Sequence, residues 1–253
     1  MTDDSIHASE IDDQKQLEQL SRLTGQLAHE IKNPLSTVKI NLKLISEELA
    51  DLNTICTSER PSEKIDRSFA RAIRKISVIE KETERLEQIL DSFLRYLDRT
   101  ELQLSNIDIN DLVGGMIDFY LPQAASHKIT IRQMLYSKPL VSKLDADMFK
   151  QVLLNLFINS QQAMPGGGEL IIKTDKQQEK AIIDICDTGC GISTKDLPHI
   201  FDAYYSSRPN GSGLGLPTAK KIIEQHGGDI KVESEPDKGT SFTIRLPIIA
   251  NGE

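Results

Sequence analysis

The sequence predicts a chain of the α plus α/β class, a long helical hairpin followed by an α/β sandwich. Two observations carry this. From residue 17 to residue 97 apolar side chains recur in steps of three and four, the period of a helix with one apolar stripe. Beyond Asp98 they recur in short alternating runs punctuated by glycine, the pattern of strands and turns.

The opening residues, 1–16, are polar and acidic, and read as a frayed end or as the remnant of an upstream helix. The first stripe then runs through Leu17, Leu20, Leu27, Ile31, Leu35, Val38, Leu42, Ile45, Leu49 and Leu52, with Thr24 filling the gap. A second runs through Phe69, Ile73, Ile76, Ile79, Thr83, Leu86, Leu90, Phe93 and Leu97. Between them lies a polar stretch with Thr57, Ser58, Pro61 and Ser62, so residues 17–98 form a hairpin. Arms of about 35 residues are roughly 50 Å long, and one pair of such narrow stripes leaves apolar edge uncovered. Pairing two hairpins into a four-helix bundle covers it, which predicts a homodimer.

In residues 99–253 the segments LQLSNIDI, ITIRQML, ELIIKT, AIIDICD, DIKVES and TSFTIRLP read as strands. DINDLVGGMIDFYLPQAAS, DADMFKQVLLNLFINSQQAM and GLPTAKKIIEQHG read as helices. The formal net charge is −8, which argues against nucleic acid as a partner. No apolar run approaches the roughly 18 residues of a membrane span, and the start lacks signal-peptide character, so a soluble, cytoplasmic chain is expected. Three cysteines, Cys56, Cys186 and Cys190, have no paired short spacing and suggest neither a disulfide framework nor a zinc site.

Within the first stripe stands HEIKNP. His29 lies two residues from both Leu27 and Ile31, about 200° round the helix from each, so the stripe leaves it outside. Asn33 shares its face at i+4, and Glu30 flanks it. Pro34 has no N–H for the Glu30 carbonyl, which predicts a bend. An imidazole, a carboxylate and a carboxamide so grouped suit phosphoryl transfer. A neutral ring nitrogen attacks in line, Glu30 orients the ring or takes its other proton, and Asn33 donates to the phosphoryl group or positions a water.

Three further elements follow in order. Asn155 and Asn159 share a face of an apolar helix; uncharged oxygens there suit a Mg²⁺ already neutralised by phosphates, or else the amides cross-link the core. Asp187 opens the DTGCG turn with Gly189 and Gly191; it can accept from an exocyclic amine, or the turn simply ends a strand. Gly211, Gly213, Leu214 and Gly215 precede the helix that begins near Pro217, where backbone N–H groups can hold a di- or triphosphate.

With these motifs in this order, the chain resembles the histidine kinase family over residues 17–248. HEIKNP is similar to its phosphoacceptor box, Asn155 and Asn159 to its N box, and DTGCGI to its first glycine box. Phe201 with Tyr204 and Tyr205 is similar to its F box, GSGLGL to its second glycine box, and KGTSFTIRLP, with Thr240, to its closing strand. The resemblance implies a dimerisation and histidine-phosphotransfer hairpin followed by a Bergerat-type ATP-binding sandwich. It implies ATP and Mg²⁺ as cofactors, His29 as phosphoacceptor, Asn159 as the metal ligand with Asn155 beside it, Asp187 as the adenine-reading carboxylate, and a lid over residues 193–213. A response-regulator receiver domain is the implied partner, and Asn33 is implied to support phosphatase activity toward it.

Departures stand out as well. Ala203 and Arg208 replace the usual proline and lysine of the F box, Arg208 keeping the charge. Ser160 and Pro217 stand where alanine is common, and both read as tolerable. The hairpin is longer than usual around residues 50–68. No sensory domain is evident, so input comes from outside these residues or from a separate sensor protein. A protein acting chiefly as the receiver's phosphatase, and a nucleotide-binding scaffold, are the competing readings.

Overall fold

The computed structural model describes residues 24, 25, 27, 28, 30–49, 62–97, 101–207 and 213–249. They fall into two compact units that divide between Arg95 and Tyr96.

The first unit is helical. Helix α1 spans residues 30–49 and α2 spans Ser62–Leu97, 36 residues. Helix α1 runs on through the buried Pro34, with the Ser36 hydroxyl donating to the Lys32 carbonyl (2.8 Å) one turn back. Glu48, near the end of α1, accepts from Lys75 (2.8 Å) and Arg71 (3.2 Å) of α2, tying the arms together. The stripe of α1 resolves into two rows of sevenfold spacing. Ile31, Val38 and Ile45 are half-buried, whereas Leu35, Leu42 and Leu49 remain 49 %, 55 % and 50 % exposed. On α2, Ala72, Ile89 and Phe93 are buried while Phe69, Ile73, Ile76, Leu90 and Leu94 are exposed. Among the described residues one hairpin therefore leaves much apolar surface uncovered, as the narrow-stripe argument expects.

The second unit is an α/β sandwich. Its elements in chain order are β1 (Ser105–Asp108), α3 (Ile109–Ser126), β2 (Ile129–Met134), β3 (Val141–Leu144), α4 (Ala146–Ala163), β4 (Gly168–Gln177), β5 (Lys180–Asp187), α5 (Gly215–Gln225), β6 (Asp229–Glu235) and β7 (Gly239–Pro247). A five-stranded sheet has the order β2-β4-β5-β7-β6, with β2 and β4 parallel and the other pairs antiparallel. Strands β1 and β3 form a separate antiparallel pair. Asp108 and Asp145 cap α3 and α4, their carboxylates accepting from the first free N–H groups.

The core lies between one face of the sheet and the helices. Ala181, Ile183 and Ile185 of β5 and Phe242, Ile244 and Leu246 of β7 alternate along their strands and are buried with Phe149, Leu153, Leu156 and Phe157 of α4. On the opposite face, cross-strand partners pair polar groups: Thr243 donates to Asp184 (2.7 Å), and the Cys186 thiol meets the Ser241 hydroxyl (3.1 Å).

A buried histidine joins α4 to α5. The Nδ1 of His226 donates to the Ile222 carbonyl (2.7 Å), so its Nε2 is the lone-pair nitrogen that accepts from the Asp145 N–H (2.9 Å). The Asp145 carboxylate also accepts from the Gln103 N–H (3.0 Å). Burial acts to raise that carboxyl, but the N–H groups of Met148, Gln103 and Asp147 outweigh it and hold it below the usual carboxylate range. Replacing His226 by alanine orphans the Asp145 N–H and removes a ring packed edge-on to Phe149. His226→Ala is expected to destabilise the second unit by about 1–3 kcal/mol, read as a lower urea midpoint; an unchanged midpoint would show that water replaces the ring without cost.

Candidate active site

Asp187 ends β5 and is only 6 % exposed. Its Oδ1 accepts from the N–H of Gly189 (2.9 Å) and of Thr240 (3.3 Å), the second residue of β7. Charge buried at a strand end is thus held by two backbone dipoles. Thr240 is itself buried, its hydroxyl 2.9 Å from that of Ser234.

Gly189 is required by proximity. A Cβ there would lie 2.7 Å from that of Ala163, the last residue of α4, and 2.8 Å from Asp187 Oδ1. The Ala163 carbonyl accepts from the Cys190 N–H (3.0 Å), so the turn through Gly191 is fastened to the end of α4. The sequence did not single out Ala163; a small residue four positions after Asn159 was the available signal.

Asn155 and Asn159, both half-buried on α4, meet the start of α5. The Asn155 amide donates to the Gly215 carbonyl (3.1 Å), and a Cβ on Gly215 would lie 3.9 Å from Asn155 Oδ1 and from Asn159 Nδ2. Gly213, at φ +63°, accepts from the Tyr204 N–H (2.9 Å) and packs so closely that a Cβ would lie 2.5 Å from the Tyr204 carbonyl carbon. The buried Leu214 offers its carbonyl to the N–H (3.0 Å) and hydroxyl (2.6 Å) of Thr218. Phe201 packs on the core with the Lys220 ammonium 5.3 Å from its ring centre.

The segment between the two glycine turns is anchored at its base. Tyr205 donates to Asp196 Oδ1 (2.7 Å) and Ser193 to Asp196 Oδ2 (2.9 Å). The Tyr205 bond, with that of Ser193, holds the Asp196 carboxyl below its ordinary range and pushes the Tyr205 phenol up.

The structure thus gathers Asp187, Gly189, Thr240, Asn155, Asn159, Gly213, Leu214, Gly215 and Phe201 around the α4–α5 face of the second unit, while Gly191, at φ +67°, packs against Glu235 and Pro236 at the end of β6. Arg208 and Gly211 lie outside the described residues, and so does His29. Glu30, half-buried, and Asn33, exposed, stand on α1 of the first unit. Among the described residues no cluster of His, Cys, Asp and Glu could hold a metal ion. The side chains facing the start of α5 are neutral carboxamides, each with one oxygen to offer, a fit for a cation that arrives with phosphate charge.

Residues 19–101 match the family described as His Kinase A (phospho-acceptor) domain, and residues 144–250 match the histidine kinase-, DNA gyrase B-, and HSP90-like ATPase. Sporulation kinase D of Bacillus subtilis is 33 % identical over 247 residues, covering 97 % of this chain and 45 % of that protein. Sensor histidine kinase ZraS of Salmonella typhimurium is 32 % identical over 248 residues, 96 % of this chain and 50 % of that protein. The chain therefore spans about half the length of these curated relatives. Among solved structures, the catalytic domain of histidine kinase ThkA superposes with a TM-score of 0.54 at 25 % identity, covering 58 % of this chain and 97 % of that one. The complex of ThkA with response regulator protein TrrA gives 0.71 at 23 % identity, over 98 % of this chain and 68 % of that one, a likeness of fold.

Proposed function

The chain belongs to the two-component sensor histidine kinases, and from that premise we propose that it uses ATP to phosphorylate His29 and passes the phosphoryl group to an aspartate of a response-regulator receiver domain. The observation that supports this best is the meeting of both α4 asparagines with the start of α5, on the helix whose last residue fastens the Asp187 turn.

In this reading Asp187 accepts from the exocyclic amine of adenine, while the glycine turn and the first N–H groups of α5 hold the phosphates. Asn159 would hold Mg²⁺ with Asn155 beside it, and the ion would supply charge neutralisation for the triphosphate. Arg208 adds a guanidinium for phosphate. A neutral nitrogen of His29 attacks the γ-phosphorus; the N–P bond forms as the bond to the β–γ bridging oxygen breaks, and ADP leaves with that electron pair. Glu30 orients the ring or takes the proton from its other nitrogen. The phosphoryl group then moves from nitrogen to the receiver's carboxylate, which restores the imidazole.

The exposed rows of the hairpin fit a homodimer through α1 and α2. Among the described residues no helix is long and apolar enough to cross a membrane. A cytoplasmic chain receiving its signal from a separate sensor protein, or from residues beyond this sequence, fits the proposal.

Incubation with γ-labelled ATP and Mg²⁺ is expected to leave acid-labile, alkali-stable label on the protein, and absence of such label would sink the kinase reading. Asn33, exposed on α1, is assigned to dephosphorylation of the receiver. Asn33→Ala is expected to slow release of phosphate from a pre-phosphorylated receiver by about tenfold or more, the low end of what a positioned polar group contributes; an unchanged rate removes Asn33 from that role.

A further inference from the structure

One buried polar group of the second unit is used by nothing described so far. Ser160 is 1 % exposed, and its hydroxyl has no hydrogen-bond partner. Thr218, the other buried Ser or Thr on a described helix of the second unit, donates to the Leu214 carbonyl four residues back, as the exposed Ser36 does to Lys32 and Thr83 to Ile79. Ser160 makes no such bond. An alanine would fill the position without desolvating a hydroxyl, so the unpaired group needs a partner from outside the chain.

Its place in the fold says what that partner is. On α4 the buried stripe runs Leu153, Leu156, Ser160, Ala163, and Ala163 is the residue against which the Asp187–Gly189 turn closes. Asp187 and Thr240 alternate in step with the buried residues of β5 and β7, and so belong to the sheet face that the stripe packs on. Ser160 therefore stands one turn from the closure, in the layer that holds Asp187, immediately after Asn159.

The two groups are complementary in kind: the carboxylate of Asp187 accepts, and the hydroxyl of Ser160 can donate. The Watson–Crick edge of adenine presents the opposite pair, an amine that donates beside the N1 ring nitrogen that accepts. Guanine presents a carbonyl beside a ring N–H, which offers Asp187 an acceptor and Ser160 a donor. We infer that Ser160 is a base-specificity residue, its hydroxyl reading N1 of adenine while Asp187 reads the amine. The inference rests on the nucleotide-binding reading above and adds a second recognition group to it.

The test is a cycle in the full chain with Mg²⁺, using ADP and 1-deaza-ADP, in which N1 is replaced by C–H. Wild type is expected to bind ADP about tenfold more tightly than 1-deaza-ADP, the size of one buried hydrogen bond. Ser160→Ala is expected to lose about that tenfold for ADP and nothing for 1-deaza-ADP, while unfolding at a temperature no lower than wild type. Equal losses for both ligands, no loss for ADP, or a lower unfolding temperature without nucleotide would each overturn the assignment. If wild type binds neither ligand, the nucleotide reading itself falls and Ser160 falls with it; if wild type binds both equally, only the role of Ser160 does.

Discussion

His29→Gln is expected to abolish acid-labile labelling from ATP, by at least about a thousandfold, because no other step of the proposed transfer supplies a nitrogen nucleophile. Glutamine is the informative replacement. It is a good helix former, carries no charge and is close in reach to imidazole, so the hairpin should be preserved. Its amide nitrogen has its lone pair delocalised into the carbonyl and cannot attack phosphorus. Because the groups proposed to contact nucleotide lie in the second unit, ADP affinity should be unchanged in the same variant. Label that persists in His29→Gln would place the phosphoacceptor elsewhere; lost label with lost ADP binding would point to misfolding.

Asp187→Asn carries the second large effect. The carboxamide oxygen can keep both bonds that Oδ1 now accepts, from Gly189 and Thr240, so the turn should hold and the unfolding temperature should change little. What changes is the other atom, from acceptor to N–H donor, which in the proposed site would confront the adenine amine donor to donor. A buried mismatch of this kind should weaken ADP binding by about a hundredfold or more, on the order of 3 kcal/mol. Titration calorimetry with ADP and Mg²⁺ checks it. Affinity within a factor of two or three of wild type would remove Asp187 from base recognition.

The features legible in the sequence were those with a period or a motif. Steps of three and four located α1 and α2, and the alternation in AIIDICD and TSFTIRLP located β5 and β7. Strand β3 was missed because four residues, VSKL, hold too few alternations to read; its partner β1 lies about forty residues away, joined by long-range pairing that no local window contains. The α1 stripe was visible, but its division into a row at 31, 38 and 45 facing inward and a row at 35, 42 and 49 facing out depends on where α2 lies.

The site shows the same limit. Glycines and asparagines were conspicuous by type and order. The bond from Thr240 to Asp187 spans 53 residues, and the fastening of Cys190 to Ala163 uses backbone atoms that every residue possesses. Ser160 read as a tolerable exchange for alanine because a hydroxyl without a partner is a property of its surroundings and not of its name.

The leucines at 35, 42 and 49 have one more consequence. With half of each side chain still facing water, a solitary hairpin keeps much of the hydrophobic free energy that would hold it together unspent, so helix formation and association should occur as one event. Dilution would then act on this half of the protein as a denaturant does, melting the arms as the copies part, while the sandwich, which buries its own core, would stay folded at any concentration.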